Sequence, residues 1–390
     1  MASASSVSDR YSVPVARIGI IGGGQLGRML VKAGKRLGCS CVVVDPTPGS
    51  PAGQVAGQQI VADSHDRDAL LALAEQVDVI TFDIEDIDAT VLSAIAARGH
   101  RILPSCELLA EIQDKLLQKR LLIRLGIPTA DFVAAEQADL EQLARFGYPL
   151  VQKARRGGYD GRGVVVMQSA ADADQRLPVP SLLERFVPAQ KELAVIVARG
   201  QDGDVRSYAP VEMCFRAGAN ILDMLLAPAR IAPAIAEAAR RLATETVTAL
   251  GGVGIFGIEM FLTADGELLV NEVAPRTHNS GHYTIEACVT DQFEQHLRAI
   301  TGLPLGITDQ MLPAAMINLL GSPDASGPPV IHGLRAALSI PGVSVHLYGK
   351  AQTRPFRKMG HVTVLDSDIE RAREKAEHVR ALLAIGGEVP

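Results

Sequence analysis

The chain has 390 residues, 47% of them hydrophobic, 21% charged and 4% aromatic, with no tryptophan. That length holds two or three domains with substantial cores, and the composition is that of an ordinary α/β protein. A net charge of −6 leaves no basic excess for nucleic-acid backbones or an anionic membrane surface.

No apolar run reaches bilayer length, and the five cysteines form no C-x-x-C pair. Reduced thiols in a cytoplasmic enzyme are therefore expected. Residues 1–16 lack a signal-peptide core and read as a disordered lead-in.

A strand at 17–21 runs into Gly22-Gly23-Gly24-Gln25-Leu26-Gly27 and a helix over about 28–37. The next strand, 41–44, ends on Asp45. Glycines at that spacing, a helix N-terminus and a later acid match a dinucleotide fingerprint, which would suit an NAD-dependent oxidoreductase. A plain strand-to-helix turn needing small residues fits the same run.

Strands at 59–62, 77–82 and 101–103, with helices at 66–75 and 89–98, predict a parallel, doubly wound sheet ending near residue 105. Acids directly after its strand at 77–82, Asp83 and Glu85, fall at the carboxyl edge where ligands bind. Glu85 suits a sugar hydroxyl or a polar substrate group.

Residues 107–125 read as one helix, stopped by Gly126-Ile127-Pro128. Lys115 and Lys119 are one turn apart on it, with Lys119 expected at the surface. After a helix at 140–146, a strand at 150–153 ends on Lys153. It enters Arg155-Arg156-Gly157-Gly158-Tyr159-Asp160-Gly161-Arg162-Gly163, and a second strand follows at 164–167. This is a flexible clamp: backbone N–H groups can cradle phosphates and the arginines add charge. It is not a Walker A loop.

Glu184 lies in a strand at 181–187, and Glu192 just before one at 193–197. Acids so placed suit an adenine amino group and ribose hydroxyls. A strand at 208–214 and an amphipathic helix at 232–250 lead to strands at 256–262 and 267–273, joined by Ala264-Asp265-Gly266. Glu259 and Glu272 sit among apolar neighbours in this hairpin. Two such carboxylates are costly unless a cation lies between them, and their oxygens are what Mg²⁺ prefers. An ion pair with an arginine such as Arg276 is the structural alternative. Helices at 280–288 and 292–300 come next, then short strands at 314–319, 337–340, 345–348 and 361–365, and a closing helix at 368–383. The basic run 350–361 suits a phosphate monoester.

The motifs GGGQLGRML (22–30), TFDIE (81–85), QDK (113–115), RRGGYDGRG (155–163), NEVAPRTHNSGH (271–282), NLLG (318–321), HLYGK (346–350) and RKMGH (357–361) resemble those of the ATP-grasp superfamily. Within it they resemble the 5-(carboxyamino)imidazole ribonucleotide synthetases of bacterial and fungal purine synthesis. The resemblance covers residues 17–385. It implies a doubly wound α/β domain over 17–110, an ATP-grasp domain over 111–310 with an α+β lid at about 125–188, and a small β-rich C-terminal domain over 311–390. It also implies ATP and Mg²⁺, a homodimer, and the substrates aminoimidazole ribonucleotide and bicarbonate.

Position by position, the resemblance puts Lys115 and Lys153 on ATP phosphates and base, and Gly157, Gly158, Tyr159, Asp160, Gly161, Arg162 and Gly163 over the phosphates. Glu184, Arg185, Phe186 and Val187 hold the adenine, Glu192 the ribose, Asn271 and Glu272 the nucleotide, and Glu259 and Glu272 the Mg²⁺. Gln25, Leu26, Glu85, Asn279 and Ser280 contact the ribonucleotide. Tyr159, Asp160, Arg162, Arg276, Lys350 and Arg357 surround it and bicarbonate, the last two on its 5′-phosphate, and Asp160 handles or orients the amine. Three places depart from the family pattern: Met213 and Phe215 replace Asn and His, Asp83 replaces Glu, and Thr277 replaces Pro. Another ATP-grasp ligase acting on a phosphoribosyl amine, or a non-catalytic ATP-binding homologue, would share most of these motifs.

Overall fold

A computed structural model describes residues 12–158, 163–215 and 222–387. The N-terminal layer holds β1 (Arg17–Ile21), α1 (Gln25–Arg36), β2 (Ser40–Val44), β3 (Gln58–Ile60), α2 (Arg67–Ala74), β4 (Val79–Phe82) and α3 (Ala89–Ala96). Its four parallel strands run in the order β3-β2-β1-β4. β1 and β4 are near-continuous apolar runs because both faces of a parallel sheet are covered. The expected strand at 101–103 is reduced to a single bridge between Ile80 and Ile102. Ahead of β1, Val15 N–H donates to Gly38 O and Ala16 is buried.

The helix expected over 107–125 is two helices, α4 (Cys106–Ile112) and α5 (Lys115–Arg124). Asp114 breaks the run: its carboxylate accepts from Leu116 N and Leu117 N and caps α5. The stretch expected to form the lid follows, with β5 (Phe132–Ala135), α6 (Leu140–Phe146), β6 (Leu150–Ala154), β7 (Val164–Met167) and β8 (Ser181–Arg185). These strands form an antiparallel sheet, β5-β8-β6-β7, over a small core of its own that includes Leu143, Leu150 and Leu183.

The largest sheet has nine strands. From the ATP-grasp stretch come β9 (Ala189–Arg199), β10 (Val205–Ser207), β11 (Val211–Phe215) and β12 (Leu222–Ala227). The helix α7 (Pro233–Leu250) precedes the hairpin β13 (Gly254–Thr263) and β14 (Leu268–Ala274). Two further helices follow, α8 (Thr284–Ala287) and α9 (Gln292–Thr301). The C-terminal stretch adds β15 (Ala314–Leu320), β16 (Pro329–His332), α10 (Leu334–Leu338), β17 (Val343–Leu347), β18 (Lys358–Leu365), α11 (Ile369–Leu382) and β19 (Ala384–Gly387).

The sheet order β14-β13-β9-β11-β12-β15-β18-β17 carries it without a break from the hairpin to the C-terminal strands, and β16 and β19 pair separately. The strand expected at 337–340 is the end of helix α10. One face of the sheet packs on α4, α5 and α7 through Leu193, Val195, Val197, Phe256 and Ile258. The N-terminal core extends beyond its own layer, taking in Phe293, Leu297 and Ile300 of α9 and Tyr348. No helix among the described residues is long and apolar enough to cross a membrane.

Candidate active site

Glu259 and Glu272 are register partners across the β13–β14 hairpin. Alternation along β13 sends Phe256, Ile258 and Met260 into the core and leaves Glu259 on the opposite face. The register then slips by one at Asn271, because Met260 pairs with Val270. This bulge re-aims consecutive side chains. Asn271 Oδ1 accepts from Lys153 Nζ at 2.8 Å, and Glu272 Oε1 from Lys115 Nζ at 2.5 Å.

The pair is electrostatically split. Burial, then Glu272 and Glu192, push the Glu259 carboxyl above its ordinary range. Burial acts on Glu272 too, but Lys115 at contact distance overrides it and holds that carboxylate well below the ordinary range. Glu272 is enclosed yet opens on the cleft, with 42% of its side chain exposed. The second neighbour of Glu259 is His278, with Nε2 at 3.4 Å.

Lys115 is placed by the break at Asp114. Its N–H donates to Arg155 O at 2.8 Å, and the Arg155 guanidinium grips Asp114 at 2.7 Å. The start of α5 is thereby tied to the root of the glycine clamp. Burial draws the Lys115 ammonium down, but Glu272, with Glu259 and Glu85, more than offsets it.

Lys119, expected at the surface, is 2% exposed. Its ammonium lies 3.2 Å from Glu184 Oε1 and 2.6 Å from Thr129 Oγ1. Lys153 holds the other Glu184 oxygen at 2.6 Å. The surface expectation fails because the lid folds β8 over that face of α5, which a helical wheel of α5 alone does not show. Glu192 lies within the long strand β9, directly opposite Met213 and on the sheet face of Glu259. Burial raises its pKa, with Lys153 opposing. Phe215 packs on the core beneath that face.

Arg276 pairs with Glu85 at 2.7 Å rather than with either hairpin glutamate. Asn279 and Ser280 follow in a short 3₁₀ turn, where His278 Nδ1 meets Ser280 Oγ at 2.8 Å. Asn279 Oδ1 is buried with no partner among the described residues. A pocket of about 200 Å³ is lined by Gly23, Gly24, Gln25, Ser50, Lys350 and Arg357. Lys350 Nζ donates to Lys358 O at 2.7 Å, and Arg357 to Gln352 O at 2.8 Å.

Some expected site residues take other places. Leu26 is buried in the N-terminal core, so only its backbone could reach a substrate. The Arg185 guanidinium turns onto the Phe146 ring, 4.9 Å away, and bonds Phe146 O, away from the Glu184 network. Asp45, the acid of the dinucleotide reading, is consumed by its own loop, accepting from Gly23 N and Thr47 N. Asp83 is buried, its pKa pushed up to about 6 by burial, and accepts from Gly27 N. Gly22 has φ +95°, and a Cβ there would fall 1.7 Å from Asp83 Oδ1, so the glycine run serves close packing on Asp83. Of the clamp, Gly157, Gly158 and Gly163 are described. Tyr159, Asp160, Gly161 and Arg162 lie outside the described residues.

Among the described residues no group of three or more His, Cys, Asp or Glu forms a metal cage. Mg²⁺ does not require one, since one or two carboxylates plus substrate phosphates suffice. The opposed pair, with one carboxyl lacking a full countercharge, fits that role.

The sequence divides into three family domains. Residues 15–113 match the ribonucleotide synthetase preATP-grasp domain, 120–293 the ATP-grasp domain, and 314–375 the phosphoribosylaminoimidazole carboxylase C-terminal domain. N5-carboxyaminoimidazole ribonucleotide synthase of Synechococcus elongatus is 42% identical over 379 residues, covering 95% of this chain and 94% of that protein. The chain belongs to the N5-carboxyaminoimidazole ribonucleotide synthase family. The synthetase structure from Thermotoga maritima superposes with a TM-score of 0.89 at 50% identity, over 96% of this chain and all of that one (100%). The family member from Aspergillus clavatus in complex with ADP and 5-aminoimidazole ribonucleotide gives 0.86 at 36% identity, over 94% and 98%. The synthase-family frame accounts for the glycine run at 22–27 without a nicotinamide cofactor.

Proposed function

We propose that the chain carboxylates 5-aminoimidazole ribonucleotide with bicarbonate at the expense of ATP, releasing N5-carboxyaminoimidazole ribonucleotide, ADP and phosphate in purine synthesis. Family membership supports the reading. The observation that carries it in the molecule is the β14 edge, where Asn271 and Glu272 meet Lys153 and Lys115 opposite Glu259.

ATP binds between the lid and the large sheet. Glu184 faces the adenine, Glu192 the ribose, and Lys115, Lys153 and the clamp glycines the phosphates. Glu259 and Glu272 would hold Mg²⁺, which when bound would supply charge neutralisation for phosphoryl transfer. Lys115 exchanges its carboxylate for phosphate oxygens as nucleotide enters, so positive charge is in place before transfer. Bicarbonate oxygen attacks the γ-phosphorus and ADP departs. The resulting carboxyphosphate is short-lived in water, which calls for lid closure. The exocyclic amine nitrogen then bonds the carboxyl carbon, the carbon–oxygen bond to phosphate breaks, and the departing phosphate carries off the amine proton.

The ribonucleotide lies toward Gly24, Gln25, Glu85 and Ser280, with Lys350 and Arg357 on its 5′-phosphate. Arg276, held by Glu85, faces bicarbonate. The reading includes a cytoplasmic homodimer, which sedimentation checks. The direct test is incorporation of labelled bicarbonate into an acid-labile product. Label must require both ATP and the ribonucleotide, and label independent of either defeats the reading.

A further inference from the structure

Three consecutive residues at the break between α4 and α5 reach different parts of the cleft. Lys115 bonds Glu272 of the hairpin, and Asp114 grips Arg155 at the root of the glycine clamp. Both contacts belong to the ATP side. Gln113, the first residue of the same motif, reaches the loop that follows β4, on the ribonucleotide side.

The Gln113 amide is partly buried, and its Nε2 donates to Glu85 O at 2.5 Å and to Ile87 O at 2.7 Å. Both partners are carbonyl oxygens, which only accept, so the orientation of the amide is fixed. Glu85 O also accepts from Ile87 N–H at 2.9 Å, which closes a tight turn. The two Gln113 bonds therefore pin both ends of the turn that carries Glu85. The Glu85 side chain in turn holds Arg276 at 2.7 Å. At the other end of the amide, Oε1 faces Arg156 Nη1 at 3.5 Å, and Arg156 Nε approaches Asp114 at 3.7 Å. One side chain thus spans the acid loop of the ribonucleotide side and the segment that places Lys115.

We propose that Gln113 is a positioning residue that couples the two substrates: it ties the Glu85 turn to the start of α5, so that ATP is cleaved at full rate only with the ribonucleotide in place. Glu85 has two arrangements, one on Arg276 and one on the ribonucleotide. A change between them shifts its turn, and Gln113 passes the shift to Asp114 and Lys115, the next two residues of the chain. Two ligands that bias one shared element are coupled. The coupling has a chemical reason, since carboxyphosphate made before the amine is present is lost to water. Gln113 touches no substrate and acts through Glu85 and Lys115. This rests on the assignment of ribonucleotide and ATP to the two sides of the cleft.

The experiment measures ADP release by wild type and Gln113→Met with Mg²⁺, ATP and bicarbonate, without ribonucleotide and with a saturating concentration of it. Methionine keeps the length of the side chain and removes both donors. The expected result is a stimulation ratio lowered by about tenfold, with unstimulated release and KM for ATP within a few-fold of wild type. A residue that only supports the fold would lower release equally in both conditions, so an unchanged ratio overturns the proposal. Should Gln113→Met fail to fold, Gln113→Asn keeps the amide but is one methylene too short to reach both carbonyls, and it must lower the ratio likewise. An unchanged ratio in that variant also overturns the proposal. Failure of the functional reading is distinct: the wild-type protein itself would then show no stimulation.

Discussion

Lys115 Nζ lies 2.5 Å from Glu272 Oε1, and Glu272 stands directly opposite Glu259. An ammonium thus holds one carboxylate of a pair that suits a divalent cation. Replacing Glu272 by Gln leaves Lys115 without its charged partner and would leave a cation held by the proposed pair with one charged ligand. We expect kcat to fall by about 100-fold or more, the size seen when one group stabilising transferring charge is removed. The Mg²⁺ concentration for half-maximal activity should rise. A magnesium titration of activity checks both, and an unchanged midpoint removes Glu272 from the metal site.

Asp114 holds two structures at once, the cap of α5 and the Arg155 guanidinium. Asp114→Ala should lose about 1–2 kcal/mol of stability from the cap alone. It also frees the root of the clamp, so KM for ATP should rise. Urea unfolding and ATP kinetics on the same preparation test the two effects. Stability lost with unchanged KM would separate the cap from the clamp.

Lys350 and Arg357 line the pocket beside Gly24 and Gln25. If they hold the 5′-phosphate, Lys350→Ala and Arg357→Ala should each raise KM for the ribonucleotide by about tenfold to a hundredfold. Added salt should weaken wild-type binding of the ribonucleotide more than that of either variant. Equal salt sensitivity in all three would move the phosphate elsewhere.

Much of this site is legible in the sequence because its chemistry is local. The two glutamates in apolar strands, the glycine clamp and the basic run each carry their own signal. What is not legible depends on contacts between distant segments. Lys119 reads as a surface residue until β8 covers it. Asp114 sits in a run of good helix formers, and its cap on α5 together with the distant Arg155 grip holds the break there. The Asn271 bulge needs the register of two strands. The continuity of the large sheet follows from β12 pairing with β15, a pairing of residues about ninety positions apart that no periodicity announces. At 337–340, a short apolar run does not by itself separate helix from strand.

His296 is wholly buried and joins two domains. Ile255 N–H donates to its Nδ1 at 3.0 Å, so Nε2 carries the proton and meets Thr81 Oγ1 at 2.8 Å. Burial lowers its pKa from 6.5 to about 3. Below pH 6.5 the unfolded chain therefore binds a proton that the native protein does not. Its stabilising contribution is full above 6.5 and declines as pH falls toward 3, by about 1.4 kcal/mol per unit. His296→Asn should reduce the acid-side slope of stability by about one proton. Urea unfolding at several pH values between 7.5 and 5 measures it, and an unchanged slope would mean that His296 is charged in the native state.

The measurement that bears most directly on the whole account is ADP release by the purified protein with Mg²⁺, ATP and bicarbonate, with and without 5-aminoimidazole ribonucleotide. The account predicts strong stimulation by the ribonucleotide, with Met213 and Phe215 tolerated beside Glu192. ATP binding without that stimulation would contradict it and point to a different acceptor.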